Sequence, residues 1–121
     1  MAATDRTKKL MGFDALGLLT GTRRGGDWSG ALPEITGLSV DSRDTEPGHI
    51  FAALPGTRMH GAEFIPFALR MGAVAVLTDA EGLARAETTL GPLKVPFLVA
   101  DQPRRALAIA ASRWFGAQPE V

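Results

Sequence analysis

Two short polar stretches carry the side chains that could do chemistry. The first is Asp41–Arg43, of sequence DSR, and the second is Thr57–His60, of sequence TRMH, which glycines flank at positions 56 and 61. Hydroxyl groups donate and accept hydrogen bonds, and a guanidinium binds phosphate through strong charge-assisted bonds. Glycine lets the backbone approach a ligand closely. Together these residue types favour binding of a small anionic ligand.

Each stretch also has a simpler structural interpretation. Asp41 and Arg43 could form a local ion pair, and His60 could cap a helix with Glu63 as its capping-box partner. The sequence contains neither G-x-x-x-x-G-K-[ST] nor G-x-G-x-x-G, and it shows no credible pair of nucleophile and base. The residues alone therefore indicate an α/β domain that could bind a small anionic ligand, and no catalytic or metal-binding residue is predicted.

Composition narrows the class of protein. Thirteen Lys and Arg residues balance thirteen Asp and Glu residues, so there is no electrostatic case for binding nucleic acid or an anionic membrane. With no cysteine, disulfides and cysteine-ligated zinc are excluded. No apolar run approaches the roughly 18 residues of a membrane span, and no signal peptide is evident. These features predict a cytoplasmic protein that does not enter the membrane.

The apolar pattern places the two polar stretches at the ends of strands. Strands are predicted at 37–40, 50–54, 73–77 and 95–100, and helices at 8–19, 61–72 and along the apolar stripe 107–115. Residues 21–33 are predicted to be a loop, and residues 80–91 a link with a single helical turn. This order predicts a three-layer α/β/α sandwich with a mixed, mostly parallel sheet. The short connection between the first two strands argues against a parallel pair, so one strand should be reversed or displaced.

The stretch ITGLSVDSRDTEPGHIFAALPGTRMHGAEFIPFALRMGAVAVLTD, residues 35–79, resembles the N-terminal domain of MurE-type Mur ligases. The resemblance rests on an ordered series of motifs: a strand ending in D-S-R, a P-G turn, F-x-A-L-x-G, G-x-x-F-I and G-A-x-A-V. The segment RRALAIAASRWFGAQPE, residues 104–120, resembles the helix and linker that precede the ATP-binding loop in that family.

The resemblance implies a function in peptidoglycan synthesis. The domain would hold the uridine diphosphate end of UDP-N-acetylmuramoyl-L-alanyl-D-glutamate, and central and C-terminal domains of the same ligase would bind ATP with magnesium and the incoming amino acid. ATP would phosphorylate the glutamate carboxyl group, and the amine would attack the acyl phosphate. Residues 1–121 would be one N-terminal domain, with an ordered core at about 32–116 and a linker beginning at 117–121. Alone, the chain is expected to have no cofactor and no ligase activity.

The resemblance also implies a set of contacts to the uridine nucleotide. They fall at Val40, Ser42, Thr57, Arg58 and Met59. Asp41 and Arg43 match the same motif and are expected mainly to shape the turn. The family commonly has aspartate where His60 stands, which puts the local helix cap in doubt.

Two alternatives remain open from the sequence. The chain could be the equivalent domain of a MurF-type ligase, which adds a dipeptide to the tripeptide precursor. It could also be a stand-alone interaction module that no longer binds a nucleotide. The third amino acid of the stem peptide, meso-diaminopimelate or lysine, cannot be inferred, because its binding site would lie in other domains.

Overall fold

The computed structural model describes residues 9–116. Within that range it has five strands: β1 (Thr22–Gly26), β2 (Gly37–Ser39), β3 (His49–Ala52), β4 (Ala75–Thr78) and β5 (Pro96–Ala100). The α-helices of the same range are α1 (Ile65–Arg70), α2 (Ala80–Leu90) and α3 (Pro103–Gly116). Two 3₁₀ turns, Ser42–Asp44 and Gly61–Phe64, follow β2 and β3.

The strands form one mixed sheet in the order β1-β5-β4-β3-β2. Four neighbouring strands are parallel, with Leu38 opposite Ile50, Phe51 opposite Val76 and Leu77 opposite Leu98. Strand β1 runs antiparallel to β5 at one edge. The predicted mixed, mostly parallel sheet is therefore confirmed.

Side chains along the strands alternate between two apolar clusters, one on each face of the sheet. One cluster contains Ile50, Leu77 and Leu98 together with Phe13, Leu16 and Trp114. The other contains Phe51, Val76 and Phe97 together with Ile65 of α1 and Ala86 of α2. Helix α3 and the N-terminal segment thus cover one face while α1 and α2 cover the other, which confirms the predicted three-layer sandwich.

Three local predictions are wrong. In place of the helix predicted at 8–19, Met11 forms an isolated bridge with Ile35 and residues 13–19 form hydrogen-bonded turns. Gly17 has a φ of 74°, which interrupts helical geometry. The predicted loop 21–33 contains strand β1. The predicted link 80–91 is helix α2, which Asp79 caps by accepting a 2.8 Å hydrogen bond from the Gly82 amide.

The connection between β2 and β3 also differs from the prediction. These strands are parallel neighbours, although crossovers of this kind usually take a dozen or more residues. Here the 3₁₀ turn Ser42–Asp44 and the turn at Pro47 and Gly48 return the chain within residues 40–48. The reversed strand is instead β1, in the segment predicted to be a loop.

None of the helices in the described range is long and apolar enough to cross a membrane.

Candidate functional site

The carboxyl ends of β2 and β3 lie side by side at the same end of the sheet. Both strands are parallel neighbours, so residues 40–43 and 53–60 leave the sheet at the same end. In open α/β sheets, ligands bind outside the carboxyl ends of the strands. The fold therefore places both polar stretches of the sequence where a ligand would be expected.

An open groove of about 850 Å³ lies at the end of β2. Its lining comes from the residues after β2 and from two phenylalanines on the chain that follows β3. The lining residues are Val40, Asp41, Ser42, Arg43, Phe64 and Phe67. The volume is within the range of small-molecule sites, and the mixture of apolar side chains with a few polar groups is typical of them.

Ser42 is buried, whereas Val40 is 57% exposed. The Ser42 carbonyl accepts a hydrogen bond from the Thr45 amide, which fixes the serine in the 3₁₀ turn. None of the side-chain hydrogen bonds formed among residues 9–116 involves the Ser42 hydroxyl. In the described part of the chain, that hydroxyl has no protein partner and can bond to a ligand in the groove.

Asp41 and Arg43 form the local ion pair that the sequence allowed. Asp41 caps the 3₁₀ turn by accepting from the Arg43 amide at 2.9 Å, and its carboxylate also accepts from Arg43 Nε at 3.1 Å and Nη2 at 2.7 Å. The hydrogen bonds from the Arg43 side chain and amide lower the pKa of Asp41 from 3.8 to about 2. The pair shapes the turn and presents a guanidinium at the groove.

The Arg43 contact predicts how Asp41 titrates. Because its pKa is lower in the folded chain, its stabilising contribution is present above pH 3.8 and is lost as the pH falls through about 2. Replacing Arg43 with glutamine should return the pKa of Asp41 towards 3.8. The test is the carboxyl carbon chemical shift followed by NMR against pH, with Arg58→Gln as the matched control. An unchanged Asp41 midpoint in Arg43→Gln would contradict the assignment.

The second polar stretch forms an exposed loop beside the groove. Thr57, Arg58 and Met59 are all exposed and do not line the groove that Val40 and Ser42 share. The loop is closed by a 2.8 Å bond from the Gly61 amide to the Leu54 carbonyl. At Gly56, a Cβ would lie 2.6 Å from the Met59 carbonyl oxygen, so this tight loop requires glycine. Of the predicted contact residues, the structure thus places Val40 and Ser42 in one groove. It leaves the other three outside that groove, at the same end of the sheet.

His60 anchors the end of this loop and retains the helix cap that the sequence put in doubt. The imidazole is buried, and Nδ1 accepts a 2.9 Å bond from the Ala62 amide, so it caps the 3₁₀ turn before α1. Nδ1 carries no proton in this arrangement, so Nε2 is protonated and donates to Asp79 Oδ1 at 2.7 Å. Through His60, the loop is joined to the residue that caps α2.

Asp79 accepts hydrogen bonds from both His60 and the Gly82 amide. Its burial favours the neutral acid, but bonds from the Gly82 amide and from His60 outweigh that effect and lower the pKa of Asp79 below 3.8. The carboxylate therefore stabilises the fold above pH 3.8, and this contribution is lost as the pH falls through its lowered pKa. The Asp79 carboxylate is therefore ionised at neutral pH and accepts from both His60 and Gly82 through Oδ1.

Sequence reasoning missed the two phenylalanines of the groove. The apolar pattern of the helix predicted at 61–72 places Phe64 on the buried face with Ile65, but Phe64 is 43% exposed and Phe67 is 39% exposed. A signal was available in the spacing: Phe64, Phe67 and Met71 recur at i, i+3 and i+7, a second apolar face beyond the one that Ile65 and Ala68 bury. Helix α1 and its flanking residues therefore carry a second apolar face that the core does not bury.

Neither a cluster of metal-ligand side chains nor an ATP-type phosphate-binding motif is found among the described residues. In the range 9–116, no three His, Cys, Asp or Glu side chains lie close enough together to hold a metal. The sequence also lacks the phosphate-cradling loop that nucleoside triphosphate sites use. The groove can bind and orient a ligand through shape, stacking and hydrogen bonds.

Comparison with known proteins gives the family. Residues 34–115 match the Mur ligase family, catalytic domain. The chain is 47% identical over 83 residues to the UDP-N-acetylmuramoyl-L-alanyl-D-glutamate–2,6-diaminopimelate ligase of Streptomyces avermitilis, covering 69% of the chain and 16% of that protein. It is 42% identical over 104 residues to the ligase of the same name from Mesorhizobium japonicum, covering 78% of the chain and 20% of that protein.

A solved structure shares the fold. MurF from Acinetobacter baumannii superposes with a TM-score of 0.65 over 88% of the chain and 21% of the MurF chain, at 20% identity. At that identity the likeness concerns the fold alone. The family match extends over most of the chain, and the chain spans at most about a fifth of the length of the two sequence relatives. The chain belongs to the Mur ligase family.

Proposed function

We propose that this chain binds the uridine diphosphate end of UDP-N-acetylmuramoyl-L-alanyl-D-glutamate for a cytoplasmic ligase of peptidoglycan synthesis. The observation that carries the proposal is the 40–47% identity to curated relatives that are named as ligases of that substrate with 2,6-diaminopimelate. The groove supports it, since Val40 and Ser42, two of the contacts that the family resemblance implies, line the same concave surface.

The residues of the groove suit a nucleotide. Uracil is flat and presents one N–H donor and two carbonyl acceptors. The Ser42 hydroxyl can bond to either kind of group, and Val40 supplies apolar surface for the ring. The Arg43 guanidinium lies at the same groove and can donate to phosphate while it remains bonded to Asp41. These groups bind and orient the ligand; none of them needs to exchange a proton with it.

We further propose that Thr57, Arg58 and Met59 contact the ligand from the adjacent loop. They lie outside the groove at the same end of the sheet, so they would approach the ligand from a different side than Val40 and Ser42 do. Arg58 would bind the diphosphate, and the exposed Met59 would cover the nucleoside. The anchor at Gly61 and His60 would hold this loop close to its bound position before the ligand arrives.

The chemistry of amide-bond formation would take place outside this chain. ATP and magnesium would be held by a central domain of the ligase and the amino acid by a C-terminal domain, as the resemblance implies. The sequence relatives favour 2,6-diaminopimelate as that amino acid. They also favour this ligase over a MurF-type enzyme, because the likeness to MurF has only 20% identity and concerns the fold.

The proposal is tested by titrating the isotopically labelled chain with UDP and following its amide signals. Shifts are expected at residues 40–43 and 56–61, and AMP should cause much smaller ones. Ser42→Ala should weaken UDP binding about two- to tenfold, because one neutral hydrogen bond contributes about 0.5–1.5 kcal/mol. Ser112→Ala, an exposed serine on α3, is the matched control and should not change the affinity.

A negative outcome is equally clear. If saturating UDP shifts signals elsewhere, or shifts none while the complete ligase is active, the groove is not the uridine site. Equal affinities in wild type and Ser42→Ala, with UDP still bound at residues 40–43, would remove Ser42 from the site without removing the site.

A further inference from the structure

The exposed surface of α1 and of the residues that flank it on each side, Phe64 and Met71, is more apolar than a surface helix requires. Phe64, Phe67 and Met71 are 43%, 39% and 39% exposed and follow one another at i, i+3 and i+7. Ile65 and Ala68 on the other side of the same helix are fully buried. The core is therefore already filled, and the three exposed side chains do not serve it.

Two of these three side chains belong to the groove. Phe64 and Phe67 line it together with Val40 and Ser42, whereas Met71 does not. The guanidinium of Arg70 lies 5.7 Å from the centroid of the Phe67 ring, within cation–π distance. The aromatic wall of the groove is thus formed by one ring from the 3₁₀ turn and one from helix α1 after β3, beside polar groups that follow β2.

The lining of the groove restricts what it can hold. A purely apolar ligand or side chain would cover the Ser42 hydroxyl without bonding to it, and burying a polar group without a partner is unfavourable. A sugar phosphate without a base would leave the two phenylalanine rings in water. A ligand with a flat, polar-edged ring and an attached phosphate satisfies both parts of the lining.

We propose that Phe64 and Phe67 form the stacking wall for the base of a pyrimidine nucleotide. This inference rests on the proposed function and adds to it the residues that hold the ring. Aromatic side chains stack on any base, because every base has a π face. The wall would therefore supply affinity for a base, and the hydrogen bonds at residues 40–43 would distinguish uracil from other bases.

The test uses UDP and the chain itself. On binding, the H5 and H6 protons of uracil should move upfield, because they lie over an aromatic ring. Phe64→Ala should weaken UDP binding about five- to 100-fold, the effect of losing one base-stacking ring. Phe64→Trp should bind UDP about as tightly as wild type. Met71→Ala is the matched control: it removes an equally exposed residue of the same helix face that lies outside the groove, and its affinity should not change.

The outcomes separate this inference from the proposed function. If UDP shifts the amides of residues 40–43, but H5 and H6 do not move upfield and Phe64→Ala binds normally, the stacking wall is wrong and the uridine site stands. If UDP does not bind the wild-type chain while the complete ligase is active, the proposed function fails and the wall fails with it. If Phe64→Ala instead abolishes self-association and leaves UDP affinity unchanged, the wall is an interface between copies and the inference is overturned.

Discussion

Replacing Trp114 with alanine should lower the free energy of unfolding by about 3–5 kcal/mol, the cost typical of removing a large buried aromatic side chain. Trp114 is only 8% exposed and lies near the end of α3, in the cluster that also contains Ile50 and Leu98. The Lys9 ammonium lies 4.5 Å from the centroid of its ring and also donates to the Trp114 carbonyl. The side chain thus fastens both α3 and the N-terminal segment to the sheet.

Urea unfolding followed by far-UV circular dichroism measures this loss. The neighbouring Phe115→Ala is the matched control, because Phe115 is 64% exposed and its removal should change stability by about 0.5 kcal/mol or less. A loss below about 1 kcal/mol in Trp114→Ala would mean that the site collapses readily around the missing ring, or that α3 contributes little to the core.

Replacing His60 with alanine should lower the free energy of unfolding by about 2–4 kcal/mol. The variant loses a helix cap, which typically contributes about 1 kcal/mol, and a hydrogen bond to a carboxylate, which contributes about 1.5–3 kcal/mol. It also leaves Asp79 with only the cap of α2 as a partner at this junction. Because His60 ends the exposed loop 57–59, its loss should weaken UDP binding as well.

Two further variants separate the contribution of the helix cap from that of the hydrogen bond to Asp79. His60→Asn keeps an acceptor at the cap but is too short to reach Asp79, so it should recover about 1 kcal/mol of the loss. His49→Ala is the control, since His49 is only partly buried and its Nδ1 accepts a long 3.4 Å bond from the Glu46 amide. If His60→Ala and His49→Ala cost the same, the junction through Asp79 contributes nothing measurable to stability.

The central strands could be predicted from the sequence because burial on both faces leaves continuous apolar runs. Strand β1 could not, because its sequence TRRGG has no apolar alternation and is a strand only by virtue of its pairing with β5. Helix α2 was underestimated because Gly82 weakens its helix propensity. In the fold, that glycine lies so close to Thr78 that a Cβ would be 1.9 Å from the hydroxyl oxygen, a tertiary constraint that no local pattern reveals.

The candidate site was predictable in part for similar reasons. The polar stretches could be located because they follow apolar strands, and the ion pair of Asp41 with Arg43 was foreseeable from their spacing. The groove itself depends on β2 and β3 being parallel neighbours, which the short connection 40–48 argued against. That adjacency brings Phe64 and Phe67 beside Ser42, so the aromatic wall could not be predicted from the sequence alone.

The pairing of β1 with β5 has a consequence for synthesis on the ribosome. Thr22 lies opposite Ala100 and Gly26 opposite Pro96. A strand synthesised early therefore pairs with one synthesised about 75 residues later. Strands β2, β3 and β4 can begin to associate in the order in which they emerge, but residues 22–26 have no strand partner until residue 100 has left the exit tunnel. Contacts so distant in sequence slow folding, and the sheet edge at β5 is completed last. During translation, residues 22–26 are therefore the last strand of this sheet to find a partner.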